Sequence, residues 1–127
     1  MIESFPESAE SADRCRQALI SLALEAWRFG QIFLDLLAKT EAGADRRYLS
    51  RYQWFKKKVG QSLEEAGLEL VNLEGHAYDP GLAVLAVNLE DFQPADRLEI
   101  ERMLEPVITG PKGLVRAGTV TVKKVLA

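Results

Sequence analysis

From Ala12 to Leu36 the apolar residues Ala12, Cys15, Leu19, Leu22, Ala26, Phe29, Phe33 and Leu36 recur at alternating spacings of three and four. This is the heptad seam of a helix. A second seam, Ile20, Ala23, Trp27, Gly30, Leu34 and Leu37, lies one position further round. The apolar stripe is therefore wider than a two-stranded coiled coil requires, and the helix must touch at least two neighbours. Residues 1–9 read as a mobile tail, with Ser8 or Ser11 as the helix cap. Thr40 to Asp45 breaks the periodicity with Gly43 and is long enough to join antiparallel helices. A second helix from about Arg46 to Ala66 puts Tyr48, Tyr52, Phe55, Val59, Leu63 and Ala66 on one face, and Gly67 caps it.

Past Gly67 the period changes from 3.6 to 2. Leu68, Leu70 and Asn72 alternate with Glu69, Val71 and Leu73; Leu98, Ile100 and Arg102 with Glu99, Glu101 and Met103; Val120 and Val122 with Thr119 and Thr121. Ala83 to Leu89 is almost continuously apolar, the pattern of a strand buried on both faces. The fold class expected is α+β: residues 10–67 as a helical hairpin, then residues 68–127 as a small β-sandwich or barrel of four to six short strands. The hairpin's leftover seam can be covered by the β part or by a second copy. A symmetric dimer forming a four-helix bundle would satisfy both seams, with Leu19, Leu22, Ala26, Phe29, Phe33, Leu36, Tyr52 and Phe55 at its interface.

Composition narrows the functional classes. The chain has 127 residues, 47% of them hydrophobic, and a formal charge of −3. A field of that sign does not gather nucleic acid or anionic membrane, so a protein or small ligand is the expected partner. The one cysteine cannot form an intrachain disulfide, and no apolar run approaches the ~20 residues of a membrane span. A cytoplasmic protein is expected. Six cations, Arg46, Arg47, Arg51, Lys56, Lys57 and Lys58, interleave with aromatics on the second helix. They read as the solvated side of a helix whose aromatics face the core.

Catalytic chemistry is sparse. Phosphate-cradling glycine loops and paired His or Cys at metal-ligand spacing are absent, so neither cofactor nor metal is expected. His76, the only histidine, would need a nucleophile and an orienting group such as Ser62 or Asp79 to act as a base; an exposed turn histidine is the expectation. Cys15 lies on the first seam and is expected buried. The carboxylates Glu90, Asp91, Asp96, Glu99 and Glu101 form an acidic edge without the paired environments of an acid and a base. Arg116 on its strand could meet a partner, Glu105 or solvent. No enzymatic activity is expected.

One ordered set of motifs remains: Ala66-Gly67-Leu68-Glu69-Leu70-Val71, Tyr78-Asp79-Pro80, Glu105-Pro106-Val107-Ile108 and Leu114-Val115-Arg116-Ala117-Gly118-Thr119-Val120-Thr121-Val122. In this order it resembles the β-domain of the GrpE nucleotide exchange factors, which carries a Gly-hydrophobic strand, Phe-Asp-Pro and a closing Val-Leu-Arg-Pro-Ala-x-Val-x-Val strand. Tyr78 stands where the family has Phe, and Ala117-Gly118 where it has Pro-Ala. The His-Glu-Ala-Val block that follows Phe-Asp-Pro in the family is replaced by Gly81 to Val87, and the family's long N-terminal paired helix is shortened. The resemblance implies a cytoplasmic homodimer without enzymatic activity that binds the ATPase domain of a DnaK-type chaperone and promotes ADP release. It implies that Tyr78, Asp79 and Pro80 shape a partner-facing turn, Val87 and Leu89 a central strand, and Leu114, Arg116 and Val120 a closing strand. A relative that keeps the fold as an adaptor or scaffold without exchange is the alternative.

Overall fold

The computed structural model describes residues 5–40 and 46–126. Residues 1–4 of the expected tail and 41–45 of the expected connection lie outside the described residues. Helix α1 spans Phe5–Lys39 and α2 spans Arg46–Glu65. Because α1 already begins at Phe5, residues 5–9 are helical, and Ser8 and Ser11 lie inside the helix where they cannot cap it.

The end of α2 shows how local chemistry sets a boundary. Gly67 takes φ +75°, in the left-handed region where a Cβ is penalised. The Leu68 amide then donates to the Leu63 carbonyl and the Gly67 amide to the Glu64 carbonyl, both at 2.9 Å. These are the two bonds of a Schellman cap, and its usual hydrophobic contact is present, since Leu63 and Leu68 are both fully buried in one cluster.

Six strands follow: β1 Glu69–Val71, β2 Val84–Ala86, β3 Leu98–Glu105, β4 Val107–Gly110, β5 Gly113–Arg116 and β6 Gly118–Lys124. They form two three-stranded sheets, one ordered β1-β4-β5 and antiparallel, the other β2-β6-β3 with β2 parallel to β6. Only Pro106 separates β3 from β4, and only Ala117 separates β5 from β6. Besides the longer passage from β1 to β2, the chain thus makes two tight crossings between the sheets. At the second of these a Cβ on Gly118 would lie 2.8 Å from the Glu105 carbonyl oxygen, so only glycine lets the two crossing strands approach this closely.

The apolar core falls into two clusters. Ile20, Ala23 and Leu24 of α1 pack with Leu63, Leu68 and Ile108. Trp27 packs with Ile100, Met103, Val107, Val120 and Val122, and its indole N–H donates to the Met103 carbonyl at 2.8 Å. Arg102 reinforces the junction through Gln31 and Asp35 of α1. The second apolar seam of α1 is therefore the one its own chain buries, with β3 and α2 both packed along the helix.

Two strand expectations change. Ala83 to Leu89 is not a doubly buried central strand: β2 is a three-residue edge, Leu85 is 66% exposed, and Leu89 opens a 3-10 turn. β6 takes the centre, and only Val84 and Ala86 turn toward the core. The alternation in β3 also fails at Met103, which is fully buried although the pattern put it beside Glu99 and Glu101. Register shifts between Ile100 and Arg102 and between Met103 and Glu105 account for this, since each bulge exchanges the faces of the residues after it. In β6, by contrast, Val120 and Val122 are buried and Thr119 and Thr121 are not, as the alternation predicts.

Candidate functional site

The residues expected at a dimer interface divide in two. Phe33 stacks on Tyr52 with ring centroids 6.2 Å apart, and Tyr52 fits over Gly30, where a Cβ would lie 2.9 Å from its ring. Ala26, Tyr52 and Phe55 line a small apolar pocket between the two helices, and Leu19 packs on the first core cluster. These five serve contacts within the chain. Burial pushes the Tyr52 hydroxyl above its ordinary pKa, and the charge of Glu74 adds to the effect.

Leu22, Phe29 and Leu36 are different. They are 67%, 63% and 56% exposed, and they repeat every seven residues along α1. Ile32, 63% exposed and three residues beyond Phe29, extends the stripe; it belongs to neither seam of the sequence pattern. Cys15, seven residues before Leu22, is also exposed, contrary to the burial expected of it. Its side of the helix is the one that no described residue covers. An exposed apolar stripe of this kind is a candidate interaction surface.

The residues expected to meet a partner through the β part are likewise scattered. Tyr78, Pro80 and Leu89 do converge: with Phe92, Pro94 and Leu98 they line a cleft of about 560 Å³. Asp79, between Tyr78 and Pro80, does not line the cleft; it holds the turn, its carboxylate accepting from the Gly81 amide at 3.2 Å and its carbonyl from the Leu82 amide. Arg97 and Asp96 complete the walls. The Asp96 carboxyl is held below its usual range, first by the Gln93 amide, which donates to it at 2.9 Å, and further by Lys124 despite some desolvation. Val87 does not line this cleft; it is exposed, and its amide donates to the Val120 carbonyl, which fixes it to the sheet.

Leu114, Arg116 and Val120 do not join that cleft. Leu114 and Arg116 are on β5, the edge of the other sheet, and line or flank a separate cleft with Arg16 and Lys112. Val120 is fully buried in β6 and presents nothing to a partner. The single closing strand expected here is two strands, because the chain changes sheets at Ala117. Arg116 pairs with Glu105 at 3.6 Å, and Glu105 also binds Arg28 of α1 and accepts from the Thr119 hydroxyl. Burial pushes the Glu105 carboxyl up, and the two guanidiniums overcome this and hold it below its ordinary range.

Asn88 is a residue that sequence reasoning passed over. Its side-chain amide donates to the Val122 carbonyl and accepts from the Val122 amide, both at 2.9 Å. It thereby replaces a backbone ladder where β2 has ended and carries the chain toward Leu89. An Asn closing an apolar run was the only signal available.

His76 is exposed in a turn, where its backbone carbonyl accepts from the Ile100 amide. Among the described residues no group of three or more His, Cys, Asp or Glu is placed to hold a metal ion. Among the same residues no helix is long and apolar enough to cross a membrane. Comparison of the chain with protein-family models, curated proteins and solved structures finds no match.

Proposed function

We propose that this protein is a cytoplasmic, non-enzymatic nucleotide exchange factor: a homodimer joined along α1 whose β part binds the ATPase domain of a DnaK-type chaperone and promotes ADP release. The observation that carries the dimer is the exposed apolar stripe of Leu22, Phe29 and Leu36, spaced seven apart and flanked by Ile32, on a helix whose other seam is buried in its own chain. A second copy of the same stripe is its simplest complement, and the two hairpins then make the four-helix bundle. The exchange reading rests on the resemblance of the ordered β motifs to the GrpE family. The cleft beside Tyr78, Pro80 and Leu89 supports it as a place where one apolar side chain of a partner can seat.

Exchange requires no catalytic group. A protein that binds the open form of a two-state ATPase more tightly than the closed form lowers nucleotide affinity by the same coupling factor. The junction of Trp27, Arg28 and Gln31 with β3 supports such a role, because it ties the β part to the helical base.

A second reading, an adaptor that binds a partner without driving exchange, is favoured by one feature. The motif positions do not share a surface: Arg116 is engaged by Glu105, and Val120 is buried. Two measurements separate the readings. Light scattering at micromolar concentration is expected to give a dimer, and Phe29→Asp is expected to give a folded monomer, since Phe29 is solvated in the single chain and a charge there opposes only the pairing. Stopped-flow release of a fluorescent ADP analogue from a DnaK-type partner is expected to accelerate with the wild-type dimer. Unchanged release with detectable binding would leave the adaptor, and a wild-type monomer would end the bundle.

A further inference from the structure

We propose that the cleft between α2 and β1 is a binding site for a small organic anion, a carboxylate or phosphate group carried on a flat apolar body. The cleft measures about 340 Å³, inside the range of roughly 300–1,000 Å³ usual for small-molecule sites. Trp27 and Leu70 give it an apolar wall, and Gln53, Lys56, Lys57 and Asn72 its polar one. The Lys56 ammonium lies 5.9 Å from the centroid of the Trp27 ring, so charge and aromatic surface adjoin. Among the described residues neither Lys56 nor Lys57 pairs with a carboxylate. The Oδ1 of Asn72 already accepts from the Glu74 amide at 3.0 Å, which leaves its NH2 group to donate. The polar wall therefore offers mainly donors, two of them charged, and the matching group is an anion with acceptor oxygens.

Gly60 gives an independent reason to look here. Glycine inside a helix costs about 1 kcal/mol relative to alanine. At Gly30 the packed Tyr52 ring explains it, whereas a Cβ at Gly60 would meet no surrounding atom within 4 Å. Packing does not require glycine at this position. What the missing side chain does is keep the cleft open.

The test uses the Trp54→Phe protein, in which Trp27 is the sole tryptophan and reports on the cleft wall. Phenyl phosphate and benzoate are titrated against its emission, with inorganic phosphate and benzyl alcohol as head and body alone. A saturable change is expected with one or both aromatic anions, and at least about tenfold weaker binding with either half, since each half forgoes one set of contacts. Lys56→Gln and Lys57→Gln should each weaken binding by about tenfold, the worth of one charge-assisted hydrogen bond. Gly60→Leu should abolish it with far-UV circular dichroism unchanged. No saturable response to either anion, or binding indifferent to both lysine substitutions, would overturn the assignment, whatever Gly60→Leu does to folding.

Discussion

Replacing Trp27 by Phe tests the junction on which the fold depends. The substitution keeps a six-membered ring in the second core cluster but removes the N–H that the Met103 carbonyl accepts at 2.8 Å. A buried carbonyl left without its donor costs about 1–3 kcal/mol. The lost part of the indole leaves a small void among Ile100, Val107 and Val120, worth about 1 kcal/mol more. The expected loss is therefore roughly 2–4 kcal/mol, a large share of the total for a domain of this size. Urea unfolding followed by far-UV circular dichroism measures it, at one fixed protein concentration because an associating protein gains stability by mass action. With a urea slope of about 2 kcal/mol per molar, the midpoint should fall by about 1–2 M. Trp54→Phe is the control. Trp54 is 62% exposed, so its replacement should change stability by less than about 0.5 kcal/mol. A Trp27→Phe loss as small as that of the control would refute the claim that this hydrogen bond and its packing join α1 to the β part.

Three further outcomes are expected. Asn88→Ala should cost about 1–3 kcal/mol in the same unfolding experiment, because both backbone groups of Val122 lose their partners at once. Gly118→Ala should be destabilising by about 1–3 kcal/mol, since its methyl must displace the Glu105 carbonyl, while Gly60→Ala should stabilise by up to about 1 kcal/mol; the two thermal midpoints should move in opposite directions. Glu105 sets an acid dependence. Its folded pKa is depressed, so its contribution is present above the unfolded carboxylate value of about 4.3 and is lost as pH falls through the folded value; Glu105→Gln should flatten the stability profile over that acid window.

Much of this protein is decided locally and can be read from the chain. The wide apolar stripe makes α1 a helix wherever it ends up, and the switch of period at Gly67 divides helices from strands because a left-handed glycine stops one ladder before the next begins. The alternation in β6 is equally local: Val120 and Val122 face inward along an unbulged stretch. Local pattern does not say which of two adjacent seams turns inward. Both seams of α1 are apolar, and the choice falls to Ile20, Ala23 and Trp27 only because β3 and β4, some eighty residues later in the chain, bring Met103 and Ile108 against them. That choice exposes Leu22, Phe29, Leu36 and Cys15 together. The same holds for the strands. Ala83 to Leu89 reads as buried, yet a run too short to pair on both sides becomes an edge when β6 takes the centre, and the bulges in β3 leave no trace in hydropathy. The closing motif divides at Ala117 because Gly118 lets one strand pass close over another, a contact between distant segments that tertiary structure alone decides.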